Sequence, residues 1–476
     1  MKRTCNDNYS LKAYNLHRFA LIGLWECTAV IIKNREEIIT SGQRASAVEL
    51  IEAGISRVLP SSLMRASVKY NAGRKRLSVN SQKYDVSKGR VFVVGGGKAS
   101  GLMAAELEKI MGPESITAGI VNCKSASTET EKIRVAGAGH PVPDAGGVQG
   151  VREMLSMKAR YGIGKGDLVV SLISGGGSSL LPCPVNGVTL EDKQAITQLL
   201  LRCGADIKEI NAVRKHLSLI KGGGLAGFFA PARVISLIIS DVVGDDLDVI
   251  ASGPAVPDPS TYQDASGVLQ KYGLLEKAPQ GAVDFIRRGC IGLQAETPKR
   301  LRNCTNHLIG NNRMALEAMV GKARDLGIKP CIITSEMSGD TSEYAYGMAA
   351  EIKEGRYKGF GALLIGGETT PTLPEHAGKG GRNQHYAAVS MLAMQGCLPN
   401  WLVASAGTDG SDYLPDVAGA VVDNRSAAMA KAAGLDVEGY IQRFDSNTLF
   451  TKIGRSLILT GPTGTNVSDI LLYLLG

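Results

Sequence analysis

Three charged residues stand where chemistry is usually placed, two just after apolar, strand-like runs and one at a glycine-rich helix start. Lys98 follows VFVV in the stretch Gly95-Gly96-Gly97-Lys98-Ala99-Ser100, where a helix should start. A lysine there opposes the helix macrodipole, at a cost of a few tenths to about 1 kcal/mol, and so points to an anion to be held. Arg382 is placed in the same way in Gly378-Lys379-Gly380-Gly381-Arg382-Asn383-Gln384. Its guanidinium can grip a phosphate or a carboxylate with two bonds. Asp241 follows VISLIIS, the position of a general base or of a Mg²⁺ ligand. Asp409, in SAGTDG after WLVA, is a further candidate Mg²⁺ ligand, and GGETT, with Glu368, follows ALLI. His140, between Gly139 and Pro141, reads equally as a base or a turn residue, and Asp245 and Asp246 as metal ligands or helix caps.

A second set of residues offers amides and cations. Val169–Leu181 runs from a buried-strand composition into Ser174-Gly175-Gly176-Gly177-Ser178-Ser179. Consecutive glycines let backbone N–H groups approach an anion closely. No Gly-Lys-Ser/Thr ending follows, so this is not a Walker A loop. The segment Asn211 to Gly224 reads as a helix carrying Asn211, Arg214, Lys215, Ser218 and Lys221 on one polar face before three glycines. These residues are candidates for phosphate or carboxylate contact.

Elements that could position this set are legible from the pattern. Strand-like runs alternate with helical stretches from RVFVVGGG onward, which implies mostly parallel sheets covered by helices. The expected architecture is α/β with two domains. Residues 1–40 read as an atypical extension, 41–285 as a Rossmann-like domain and 300–476 as a second α/β domain whose distinctive region spans about 360–470. The active site belongs in the cleft between the two, because ligands of open α/β sheets bind at strand carboxyl ends.

Composition narrows the function. Glycine, at 58 of 476 residues, is about 12% of the chain against an average of roughly 7%. The nine cysteines are scattered without a Cys-x-x-Cys pair, which fits reduced thiols, a cytoplasmic protein and no zinc site. Residues 1–90 carry 16 Lys and Arg against 7 Asp and Glu (net +9), and the rest 37 against 38 (net −1). With that excess confined to the start and aromatics at 5%, a nucleic-acid partner is not expected. The apolar run Phe19–Ile32 holds Glu26 and is too short to span a bilayer. Oxygen ligands, amide-rich loops, Lys and Arg suit phosphoryl transfer, where positioning and charge neutralisation dominate. Hydride transfer fits less well, since no dinucleotide fingerprint is present.

GGGKAS, AGHPVPD, SGGGSS, NAVRKHLSLIKGG, SDVVGDDLDVIASGPAVPD, GGETT, GKGGRNQ, SAGTDG and TGPTGTNVSD, in this order, resemble the glycerate 2-kinase family of the type with a C-terminal MOFRL domain. The resemblance runs from about Arg44 to the end. It implies ATP- and Mg²⁺-dependent phosphorylation of D-glycerate to 2-phosphoglycerate in a cleft between two α/β domains, with functional residues at Lys98, Asp241 and Arg382. The chain departs from the family at His385, where relatives often carry Glu. On this footing Asp241 accepts the C2 hydroxyl proton and Lys98 neutralises the moving phosphoryl group. Arg382 or the Gly175–Ser179 amides hold the glycerate carboxylate, and Asp409 or Glu368 binds Mg²⁺. A hydroxypyruvate reductase, a kinase of another small hydroxy acid and a non-catalytic sugar-acid sensor remain alternatives. The expected partners are small molecules, with a homodimer left open.

Overall fold

The computed structural model describes residues 30–476. The first sheet contains β4 (Val91–Gly96), β5 (Ala118–Cys123), β6 (Ile133–Gly137), β7 (Leu168–Ile173), β8 (Arg233–Ile239) and β9 (Cys304–Gly310). It follows a small antiparallel meander, β1 (Val68–Asn71), β2 (Arg76–Val79) and β3 (Gln82–Asp85), formed by the basic stretch before it. The six strands run parallel in the order β6-β5-β4-β7-β8-β9. This is the doubly wound order, whose direction reverses between β4 and β7. Every residue of β4 and β7 is buried, because both faces carry helices. Val93, Val170 and Leu237 enter one apolar cluster, and their neighbours Val94, Val169 and Ile238 enter the other.

The second sheet has the order β10-β11-β15-β12-β13-β14, from β10 (Pro330–Met337), β11 (Ala362–Gly367), β12 (Trp401–Gly407), β13 (Val417–Asp423), β14 (Leu457–Leu459) and β15 (Asp469–Leu475). The last strand in sequence lies at the centre, antiparallel to both β11 and β12. One cluster of buried side chains runs from the first sheet through the helices Gly42–Arg57 and Asn312–Asp325 to Leu364, Ala404 and Leu472 of the second. A separate helical unit, 190–202, 207–216, 262–271 and 280–290, has its own core around Leu200, Val213 and Leu269.

Three contacts cross the expected domain bounds. Residues 306–310, placed with the second domain, belong to β9, which pairs with β8 and completes the first sheet. Helix Gly42–Arg57, assigned with the first domain, packs against the second sheet: Gln43 donates to the Leu474 carbonyl, and Arg44 makes a buried 2.7 Å bond to Asp423. Residues 30–40 are part of the fold, since Ile32 and Ile38 are buried and Asn34 bonds the backbone of β14 at both Leu457 and Leu459. Residues 1–29 of the expected extension, and most of Phe19–Ile32, lie outside the described residues. No helix among the described residues is long and apolar enough to cross a membrane.

Candidate active site

The carboxyl ends of β4 and β7 meet at the point where the strand order reverses, and there the two glycine loops are stitched together. The Lys98 N–H donates to the Gly175 carbonyl at 2.8 Å, and the Ala99 N–H donates to Ser174 Oγ at 3.0 Å. Ser174 is therefore buried in the join rather than presented to a ligand. The helix begins at Ser100, so Lys98 lies just before it. Gly176 has φ +78°, and a Cβ there would meet His140 Nε2 at 3.0 Å. A Cβ on Gly175 would come within 1.9 Å of Asp241 Oδ2. The glycines allow this loop to lie directly against His140 and Asp241.

Asp241 sits beyond the end of β8 and is fixed from the second half of the chain. Its Oδ2 accepts from Asn466 Nδ2 at 3.0 Å, and its carbonyl accepts from Ser468 Oγ at 2.7 Å. Burial raises the Asp241 carboxyl above the ordinary range, the Lys98 charge opposes this, and Asp409 adds to it. Lys98 Nζ bonds Asp409 Oδ2 at 3.2 Å, joining the end of β4 to the loop after β12. Glu368 is raised first by burial, and both Asp241 and Lys98 act on it. The two sheets thus bring Lys98, Asp241, Asp409 and Glu368 into one electrostatic neighbourhood. His140 joins them, its pKa pushed down to about 4 by burial and then by Lys98, so its ring is neutral at pH 7.

Arg382 begins its helix as expected, but its guanidinium is already engaged. Nε and Nη2 bond the two oxygens of Asp469 at 2.5 and 3.1 Å, and Nη1 meets Glu368 at 2.9 Å. The helix N-terminus beside it is filled by Asp412, which accepts from the Asn383 and Gln384 N–H groups and is pushed up to about 6 by burial. His385 stacks on Phe444 with ring centroids 3.8 Å apart and bonds Ser342 Oγ, so it shapes the helix flank.

The expected Asn211–Lys221 helix face is not continuous, because the helix ends at His216 and Ser218 and Lys221 lie in the following turn. Lys215 is buried and ion-paired to Asp248 and Asp258. Asn211 Oδ1 accepts from Ser252 Oγ at 3.0 Å, and Ser252 Oγ lies 3.0 Å from Ser178 Oγ, so Asn211 is tied to the Gly175–Ser179 loop. Asp245 accepts from Asn311, and Asp144 caps the helix Ala145–Tyr161. Asn466 ends the glycine-rich loop Thr460–Asn466 that the sequence singles out, without a role of its own, whereas Asp469 and Asp412 had no signal beyond the polar loops before β15 and after Asp409.

Two family models match the chain: residues 46–287 match a domain of unknown function, DUF4147, and residues 361–469 match the MOFRL family. The D-glycerate 2-kinase of Thermotoga maritima is 37% identical over 436 residues, covering 90% of this chain and 97% of that one. The chain belongs to the glycerate 2-kinase family. The crystal structure of the glycerate kinase from Thermotoga maritima superposes with a TM-score of 0.78, covering 91% of this chain and 99% of that one. The glycerate kinase of Homo sapiens is 33% identical, covering 90% of this chain and 92% of its own. A chain from Agrobacterium vitis named, provisionally, as a hydroxypyruvate reductase is 40% identical over 82% of this chain and 88% of its own.

Proposed function

We propose that the chain transfers the γ-phosphoryl group of ATP to the C2 hydroxyl of D-glycerate, giving 2-phospho-D-glycerate and ADP. The observation that carries this reading is the Lys98–Asp409 bridge beside Asp241, where a cation from one sheet and carboxylates from both converge. Asp241 accepts the C2 hydroxyl proton as the C2 oxygen forms its bond to phosphorus. The bond from phosphorus to the β,γ-bridging oxygen breaks, and its electrons leave with ADP. A carboxylate raised above its ordinary pKa is a stronger base for this step. Asn466 and Ser468 hold Asp241 in place. Lys98 swings from Asp409 to the charge developing on the transferred group. Arg382 orders Asp469 and Glu368, and the Gly175–Ser179 loop supplies amides to the glycerate carboxylate or the phosphates.

The donor set fits Mg²⁺. Among the described residues no three His, Cys, Asp or Glu side chains converge as a protein-only metal cage. Mg²⁺ needs only one or two carboxylates when it arrives with phosphates. Asp409 and Glu368 are the residues that would hold it, and the bound ion would neutralise phosphate charge.

Purified Lys98→Ala and Asp241→Asn variants test the roles in an ATP-coupled glycerate assay. Each is expected to lose about 10²–10⁴ in kcat, the usual share of general acid–base or charge stabilisation. If both keep near wild-type kcat with intact folding, the assignment is wrong.

A further inference from the structure

Next to the Gly175–Ser179 loop lies a group of basic side chains with no acidic partner among the described residues. Lys193 is 7% exposed, and its Nζ donates to the Leu217 carbonyl at 2.9 Å. Lys221 is 2% exposed, and its Nζ donates to the Ala251 carbonyl at 3.2 Å. Arg214 is half-buried with no ion pair among the described residues. Neither lysine meets an Asp or Glu within ion-pair distance among the described residues, in contrast to Lys215 on the same helix as Arg214. Burial pushes Lys193 down to about 7, and Arg214 adds to this. Burial pushes Lys221 well down, with Lys193 and Arg214 adding to it. Buried cations are ordinarily paired.

A second observation is independent of the charges. Asn211 is 2% exposed, and its Nδ2 is buried without an acceptor. Its other oxygen end is bonded to Ser252, next to the Ala251 carbonyl that holds Lys221. The turn between them is strained: Ala251, Ser252 and Gly253 all have positive φ, at 53°, 61° and 64°. Non-glycine residues hold such angles only where the surroundings impose them, commonly around a binding site. Ser178 touches this turn from the glycine loop.

We infer that Lys193, Arg214, Lys221 and Asn211 Nδ2 form a site for a phosphate group, joined to the Gly175–Ser179 loop through Ser252 and Ser178. A dianionic phosphate matches several cations and an orphan amide donor better than a carboxylate monoanion does. As part of the kinase reading, on which it rests, the site holds a phosphate that is not being transferred or has just been transferred. The sources are the nucleotide's phosphates and the phosphate of the product.

The test measures Kd for ADP, 2-phosphoglycerate and D-glycerate by calorimetry on the full chain, for wild type and for Lys193→Met and Lys221→Met. Circular dichroism confirms the fold, and Arg214→Gln serves if a lysine variant fails to fold. The inference predicts at least a tenfold weakening for ADP or for 2-phosphoglycerate, whichever supplies the phosphate, with D-glycerate little changed. Unchanged affinity for both phosphate ligands overturns it, and so does a loss confined to D-glycerate. The kinase reading fails separately, if the wild-type chain makes no 2-phosphoglycerate from ATP and D-glycerate.

Discussion

In the proposed reaction, what touches Asp241 suits it to act as the base. Burial and Asp409 raise its carboxyl, while Lys98 holds it down. The acid limb of kcat/KM should therefore fall above the ordinary carboxylate pKa of about 3.9, with activity lost as the pH drops through it. Replacing Lys98 removes the opposing charge and should move that limb upward in whatever activity remains, as read from the pH–rate profile. Gly175 tests the same contact sterically. A Gly175→Ala methyl would lie 1.9 Å from Asp241 Oδ2, so this substitution should lower kcat at least tenfold while the thermal unfolding midpoint moves by only a few degrees. Lys98, Asp241 and Asp409 were legible as singular charges after apolar runs. Lys193 was not, because a lysine among the polar positions of an amphipathic helix looks like any solvated residue until its tip is found buried.

At the scale of elements, β4, β7 and β8 announced themselves. Strands buried on both faces carry near-continuous β-branched and apolar residues, and VFVV, LVVSLI and RVISLII do so. Their neighbours are set by long-range pairing, which local pattern does not encode. Cys304–Gly310 joins the first sheet across the helical unit, and the final strand, from Asp469, inserts between two earlier ones. Asp469 is thereby delivered to Arg382. Helix Gly42–Arg57 is anchored on the second sheet by Arg44, which is 3% exposed and paired with Asp423. Arg44→Met should cost up to about 3–5 kcal/mol in urea unfolding, because buried Asp423 keeps only the exposed Arg425, at 3.5 Å, as a charge partner. Burial works against the Asp423 charge, but Arg44, with help from Arg425, holds the carboxyl below the usual range. The stability it contributes is present at neutral pH and lost as the pH falls through the carboxylate range. The wild-type advantage over Arg44→Met should shrink accordingly in acid.

For the whole molecule, the two sheets share one apolar cluster through the helices Gly42–Arg57 and Asn312–Asp325. The polar loops of both sheets meet at Lys98, Asp409, Asp241 and Asn466. Neither half supplies every group of the proposed site, and the loop Thr460–Ser468 that pins Asp241 comes from the far end of the chain. Deleting residues 460–476 should therefore abolish activity and expose the second sheet's core, seen as a loss of cooperative unfolding. The most direct measurement is the fate of D-glycerate with Mg-ATP and the wild-type chain, with the product read by ³¹P and ¹H NMR. The account predicts stoichiometric ADP and a phosphate on the C2 oxygen. A 3-phosphoglycerate product, no ATP-dependent product, or oxidation of NADH by hydroxypyruvate in its place would contradict it.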